Sequence, residues 1–157
     1  MKMIKLLFIT FIAVNLCYGA HQADLAPDKH EHRLIDSVCA GNIKTVQQLL
    51  NSKTININAK DEYGYTALML ASFNDQIEIA KLLLAHKSID VNVQDKDGYT
   101  TLMWALLYEQ TEVVKLLLAR NANVYIKSNS GLTVLELATK KGHKEIERII
   151  KKHTKVN

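Results

Sequence analysis

Apolar residues recur along the chain at intervals of three and four, in paired short stretches separated by polar turns. Leu68 and Ala71 begin one such pattern, and its two counterparts begin with Leu102 and Ala105 and with Leu135 and Ala138. Each is followed by a stretch that opens with a glutamate and carries its own apolar stripe: Ile79, Leu82 and Leu83; Val113, Leu116 and Leu117; Ile146, Ile149 and Ile150. Such spacing places apolar side chains on one face of a helix. The sequence therefore predicts pairs of short amphipathic helices.

The helix pairs repeat at a period of 33 to 34 residues, as the threonines at 66, 100 and 133 show. Equivalent positions hold glycine (Gly64, Gly98, Gly131), threonine (Thr66, Thr100, Thr133), leucine (Leu68, Leu102, Leu135), alanine (Ala71, Ala105, Ala138) and glutamate (Glu78, Glu112, Glu145). The glycine suits a tight turn with positive φ, and the threonine can cap the following helix. A first, less regular copy keeps Leu34, Gly41 and Val46 without the turn signature. Self-similarity at this period indicates stacked supersecondary units.

The order Gly-x-Thr-x-Leu, then alanine, then a glutamate-led apolar helix and an Asn-Val-Asn-like ending resembles the ankyrin repeat. The resemblance covers about residues 30–153, followed by a tail at 154–157. It implies an all-α ankyrin-repeat solenoid of four stacked helix-turn-helix units, at about 30–60, 61–94, 95–127 and 128–153. Polar residues replace apolar ones in the outermost copies, namely Asp36 and Gln48 in the first and Glu147 and Lys151 in the last. Terminal repeats need such polar faces because no neighbour buries them.

Several positions depart from the family pattern. Where the family has a proline after the threonine, this chain has Ala67, Thr101 and Val134. Where the family has a histidine, it has Met69, Met103 and Glu136. We therefore expect the family's threonine–histidine hydrogen bond to be missing. The glycine that closes the first helix remains as Gly41 and Gly142, but the middle copies have Asp75 and Glu109. A left-handed residue with a side chain costs roughly 1–2 kcal/mol, so we expect a stack less stable than the family consensus.

The first residues have the layout of a secretory signal peptide. Lys2 and Lys5 precede an apolar run at 6–16, and small residues follow. We predict a signal peptide at residues 1–19, cleavage after Gly19, a short lead-in at 20–29, and a secreted or periplasmic protein without a membrane span after cleavage. The Lys/Ile/Asn-rich composition further suggests a bacterial source.

Charge and cysteine content exclude several functions. The formal net charge is +4, and the two lysines of the predicted signal leave +2, which is too weak to predict nucleic-acid binding. Beyond the signal Cys39 is a single cysteine, so an internal disulfide framework is not expected. The phosphate-loop and zinc-helix motifs are absent from the sequence. We predict no enzyme and no cofactor; the alternative is a metal-binding or redox role through His21, His30, His32 or Cys39.

A binding surface is what the sequence favours. In proteins that this chain resembles, a protein partner contacts the turn tips and the two residues after the inner-helix alanine, along a shared concave face. Here the predicted partner-binding residues are Tyr63, Tyr65, Phe73, Asn74, Tyr99, Leu107, Tyr108 and Leu132. Aromatic enrichment is typical of interface hot spots. Alternatively, Tyr65 and Tyr99 pack along neighbouring turns and Leu107 lies between helices. We expect a monomer that captures a protein of unknown identity.

Overall fold

The computed structural model describes residues 29–52 and 54–156. These residues form eight helices: α1 Lys29–Cys39, α2 Ile43–Leu50, α3 Ala67–Phe73, α4 Ile77–Ala85, α5 Thr101–Leu107, α6 Thr111–Ala119, α7 Val134–Lys141 and α8 Lys144–Val156. The predicted all-α solenoid of four helix pairs is confirmed. The last helix continues to Val156, so residues 154–156 belong to α8 and not to a separate tail.

The helices stack in two rows. The inner row contains α1, α3, α5 and α7, and the outer row contains α2, α4, α6 and α8, with each helix contacting the next one in its own row and its partner in its own pair. Leu68 and Leu102 are fully buried at matching places, and Leu135 is half-buried in the last pair. One apolar core therefore runs between the two rows through the length of the stack.

Threonine starts three of the four inner helices. The hydroxyls of Thr66 and Thr100 accept from the backbone N–H groups of Met69 and Met103 at 3.3 and 3.4 Å. In the last pair Thr133 and Glu136 form a capping box, and the Glu136 carboxylate accepts from the Thr133 backbone N–H at 2.7 Å. These bonds to Thr133 lower the pKa of the Glu136 carboxyl. The last repeat thus regains, through a glutamate, the side-chain bond expected to be missing.

The left-handed residues at the ends of the inner helices are confirmed. Gly41 and Gly142 have φ of +65° and +74°, while Asp75 and Glu109 have φ of +55° and +59°. Asp75 and Glu109 carry side chains in this conformation, so repeats two and three each bear a strain of roughly 1–2 kcal/mol. The first and last repeats avoid this strain because they have glycine at the equivalent position.

Asparagine side chains link the outer loops of successive repeats. The Asn58 side chain accepts from the Asp90 backbone N–H and donates to the Ser88 carbonyl, both at 2.8 Å. One repeat later, the Asn92 side chain accepts from the Asn123 backbone N–H at 2.8 Å. These bonds fix the rotation of each repeat on the previous one, which sets the relative positions of the turns on the inner side.

Candidate protein-binding face

The turns before α3 and α5 are held by an aspartate at their start. Oδ1 of Asp61 accepts from the backbone N–H groups of Tyr63 and Tyr65 at 2.9 and 2.8 Å. Oδ1 of Asp95 does the same for Asp97 and Tyr99, at 2.9 and 2.8 Å. An aspartate that bonds its own downstream backbone imitates a backbone turn. Tyr65 and Tyr99 therefore occupy equivalent, fixed positions in repeats two and three.

Six aromatic side chains from these two repeats form one connected group, which we call the aromatic cluster: Tyr63, Tyr65, Phe73, Tyr99, Trp104 and Tyr108. Trp104 lies at its centre, with its ring centroid 4.8 Å from that of Phe73 and 5.1 Å from that of Tyr99. Phe73 meets both Tyr65 and Trp104 edge to face, an arrangement that the quadrupoles of aromatic rings favour. The cluster thus joins repeat two to repeat three.

Trp104 is fastened to the turn of its own repeat. Its indole Nε1–H donates to Oδ2 of Asp95 at 2.7 Å, and Asp95 is 8% exposed. Both carboxylate oxygens of Asp95 therefore have donors, one from the turn backbone and one from the indole. Since a buried carboxylate is costly without such bonds, the indole both completes the turn and is oriented by it.

Trp104 is absent from the residues that the sequence predicted for the site. Its position is that of Leu70 and Leu137 in the neighbouring repeats, which pack between helices. The sequence nevertheless contained a signal, because an indole at a buried leucine position needs a hydrogen-bond acceptor. Asp95 begins the turn of the same repeat.

Exposure differs strongly across the cluster. Tyr63 is 44% exposed, whereas Phe73 is 5% exposed because Trp104 and Tyr108 of the next repeat pack against its ring. Tyr65, Tyr99 and Tyr108 are half-buried. Phe73 therefore supports the cluster from beneath and offers a partner little surface, in contrast to the direct contact predicted for it.

The remaining predicted residues lie around the cluster. Asn74 and Tyr108 are the C-cap residues that directly follow α3 and α5, and Leu107 is the last residue of α5. Asn74 and Leu107 are half-buried. We call the solvent side of this group, formed by Tyr63, Tyr65, Tyr99, Leu107 and Tyr108, the aromatic face. Leu132 lies in the turn of repeat four, half-buried against the core, and is not a member of the ring contacts.

The electrostatic surroundings of the face are acidic. Burial, followed by the charges of Asp95, Asp97 and Asp61 in that order, raises the pKa of Tyr65 to about 12. Burial also raises the pKa of the Asp61 carboxyl, against the lowering effect of the bonds from Tyr65 and Tyr63. The Tyr65 phenol is consequently neutral at physiological pH and sits among carboxylates.

Basic charge lies instead on the C-terminal helix. Six residues of α8 line a cavity of about 400 Å³: Lys144, Glu147, Arg148, Lys151, Lys152 and Lys155. Lys151 donates to Glu147 at 2.6 Å, and the lysine side chain is largely exposed. The arrangement matches a solvated polar end of the stack.

The residues of the metal or redox alternative gain little from the structure. His21 lies outside the described residues, and so do the side chains of His30 and His32. Cys39 is half-buried and packs against the core. Across residues 29–52 and 54–156, no group of three or more histidine, cysteine, aspartate or glutamate side chains is close enough to hold a metal ion.

Comparison with known proteins agrees with this architecture. A family model described as ankyrin repeats in three copies matches residues 5–95, more than half of the chain. The chain belongs to the ankyrin-repeat family. A second model, for ankyrin repeats in many copies, matches residues 83–138 of this ankyrin-repeat protein. The first match begins inside residues 1–19, the segment that the sequence predicts to be a signal peptide. Ankyrin repeats in general are non-catalytic modules that bind proteins.

Short stretches of ion-channel proteins are similar to this ankyrin-repeat protein. Short transient receptor potential channel 3 of Rattus norvegicus is 36% identical over 66 residues, which are 41% of this chain and 7% of the channel. The Homo sapiens protein of the same name is 42% identical over 53 residues, or 33% of this chain and 6% of the channel. This chain therefore spans only a small part of the length of these relatives.

None of the described helices combines the length and the apolar character that crossing a membrane requires. The predicted signal segment at 1–19 lies outside the described residues.

Proposed function

We propose that this ankyrin-repeat protein is exported and holds a protein partner against its aromatic face. The observation that carries the proposal is the exposure of Tyr63, which is 44% exposed although it belongs to an ordered ring cluster. Interface hot spots are typically aromatic side chains held in place by packed neighbours. Tyr65 is such a neighbour, because its ring contacts Tyr63 and is itself held by Phe73 and Trp104, so the face needs little ordering when a partner binds.

The first test replaces Tyr63 with alanine and measures capture of partner proteins by crosslinking and quantitative pull-down. We expect binding to fall by about 5- to 30-fold, corresponding to a hot-spot loss of about 1–2 kcal/mol. The free energy of unfolding should change little, because Tyr63 contacts the cluster only through Tyr65 among the described ring pairs. Tyr99→Ala and Tyr108→Ala should also weaken capture, but both remove contacts to Trp104 and so reduce stability as well.

Tyr125→Ala is the matched control. Tyr125 is 72% exposed and lies beside His153 and Thr154, next to the C-terminal helix and away from the cluster. Its replacement removes an equally large exposed ring without touching the aromatic face. Equal capture by the wild-type protein and Tyr63→Ala would refute the proposal, and so would an equal loss in Tyr125→Ala.

Export is tested by the N-terminus of the protein recovered outside the cytoplasm. The charged start and the apolar run predict cleavage after Gly19, so the recovered protein should begin at Ala20. The measurement is N-terminal sequencing together with intact mass. A protein that stays in the cytoplasm and keeps Lys2 and Lys5 would contradict export.

Two further ideas from the sequence, the bacterial source and the metal or redox role, are not part of this proposal. A bacterial source rests on composition and stays a prediction. The metal or redox role has no contact among the described residues in its favour, so we do not propose it. Elemental analysis of the purified protein would reveal a stoichiometric metal.

A further inference from the structure

We propose that the aromatic face binds a basic segment of its protein partner, with an arginine side chain laid across the rings between the carboxylates of the turn tips. The inference rests on the proposed function and adds the chemistry of the partner. Guanidinium groups stack on aromatic rings and form paired hydrogen bonds with carboxylates, and both kinds of group are present here.

The charges along the stack are unevenly distributed. Repeat two, residues 61–94, has five carboxylate side chains and two lysines, whereas residues 128–153 have six cationic and three carboxylate side chains. At the face itself the four carboxylates of Asp61, Glu62, Asp95 and Asp97 flank the tyrosines, and Lys60 and Lys96 are two opposing cations beside them. The net field at the turn tips therefore attracts a cation.

Two of these carboxylates are accessible to a ligand. Asp61 and Asp95 accept bonds within their own turns, but Glu62 and Asp97 are exposed. Burial is the main cause of the raised pKa of the Tyr65 phenol, and the charges of Asp95, Asp97 and Asp61 acting at its ring raise it as well. The same field would favour a cation placed on that ring.

Carboxylates also lie at the other end of the face. Asp75 and Glu109 directly follow Asn74 and Tyr108, the C-cap residues of α3 and α5, and both are exposed. Oε1 of Glu109 lies 3.5 Å from Nδ1 of His143. A segment running from the turn tips to the helix ends would therefore cross aromatic rings with carboxylates on both sides.

The ring geometry favours arginine over a small ammonium ligand. Neighbouring centroids are 4.8 to 6.2 Å apart, so the rings contact one another and leave no gap that could enclose a cation. Tyr63 is exposed and Tyr65, Tyr99 and Tyr108 are half-buried, so parts of these rings are open to a ligand. A flat guanidinium gains more contact by stacking on a ring than a compact ammonium group does. An extended segment can place such a group there while its backbone follows the turn tips.

The intrinsic fluorescence of the protein provides a direct test. The chain has one tryptophan, Trp104, which lies at the centre of the cluster. A probe peptide without aromatic residues can therefore be titrated while the emission of Trp104 is followed. The probe is a short acetylated peptide of alternating glycine and arginine. Matched peptides carry lysine, citrulline or glutamate in place of arginine, and citrulline keeps the shape of arginine without its charge.

We expect saturable binding of the arginine peptide, with the lysine peptide weaker and the citrulline and glutamate peptides weaker by about tenfold or more. Tyr63→Ala, and the pair Glu62→Gln with Asp97→Asn, should each weaken the arginine peptide by about five- to tenfold. Tyr125→Ala and Glu112→Gln, which change a more exposed tyrosine ring and an exposed carboxylate on the outer helix α6, should leave its affinity unchanged.

The outcomes separate this inference from the proposed function. Equal binding of the citrulline or glutamate peptide would overturn the inference. The inference would also be overturned if Tyr63→Ala did not weaken binding of the arginine peptide, or if that peptide did not bind at all. In either case the capture experiment would still test the proposed function separately. Self-association that Tyr63→Ala abolishes, as light scattering at increasing concentration would show, would make a second copy of the chain the occupant and would overturn the inference.

Discussion

Replacing Gly98 with alanine is expected to lower the free energy of unfolding by about 3 kcal/mol. Gly98 has φ of +77°, and a Cβ there would lie 2.6 Å from Oδ1 and 2.7 Å from the backbone nitrogen of Asn129. The left-handed conformation costs a residue with a side chain roughly 1–2 kcal/mol, and forcing extra volume into packed surroundings costs roughly 1–3 kcal/mol more.

The turn of repeat four cannot move away from that Cβ without losing bonds. The Asn129 backbone N–H donates to the Asp97 carbonyl at 3.0 Å, and its side chain donates to the Lys96 carbonyl at 2.9 Å. Gly64 faces the same situation one repeat earlier, with a Cβ position 2.9 Å from the backbone nitrogen of Lys96. Glycine therefore has two roles at these positions: it adopts the positive φ of its own turn, and it lets the next turn approach closely.

Gly131→Ala separates the two effects. Gly131 has nearly the same φ, +79°, but nothing lies within 4 Å of a Cβ built on it. Its replacement should cost roughly 1–2 kcal/mol, the conformational part alone. Urea unfolding of the wild-type protein, Gly98→Ala and Gly131→Ala, followed by far-UV circular dichroism, measures how much stability each substitution removes. If Gly98→Ala and Gly131→Ala lose equal stability, the contact between turns contributes nothing measurable.

The sequence predicted the local features of the fold well, because each depends on one residue and its near neighbours. The threonine caps follow from backbone preferences, and the left-handed Asp75 and Glu109 follow from their equivalence to Gly41 and Gly142; both features are found as expected. Asn121 also has a positive φ, +58°, and was not predicted, since it closes an outer helix for which the family pattern offered no comparison. The extent of α8 was missed because nothing in its sequence stops the helix at 153.

The candidate site was predicted less completely, because its members meet across repeats. Tyr63 and Tyr65 could be placed at a turn tip from their distance to Gly64. The burial of Phe73 could not be predicted, because it depends on the rings of Trp104 and Tyr108 in the next repeat. Periodicity states which positions are equivalent, but it does not state how large side chains at those positions share the space between two repeats.

Trp104 has the largest expected effect of the side chains in the cluster. Trp104→Ala should lower the free energy of unfolding by about 3 kcal/mol or more. The substitution removes the ring contacts to Tyr65, Phe73, Tyr99 and Tyr108, and it leaves Oδ2 of Asp95 without the indole donor. Far-UV circular dichroism in urea is the suitable measurement, because the variant has no tryptophan to follow.

Trp104→Phe keeps a ring between the two repeats and removes the N–H donor. Loss of a hydrogen bond to a largely buried charged group costs about 1.5–3 kcal/mol, so this variant should fall between the wild-type protein and Trp104→Ala. A Trp104→Phe protein as stable as the wild type would show that the bond to Asp95 contributes no net stability. A Trp104→Ala protein as stable as the wild type would show that the cluster is a surface feature that does not join the repeats. In that case the tyrosines of the aromatic face would lack the rigid support on which partner binding depends.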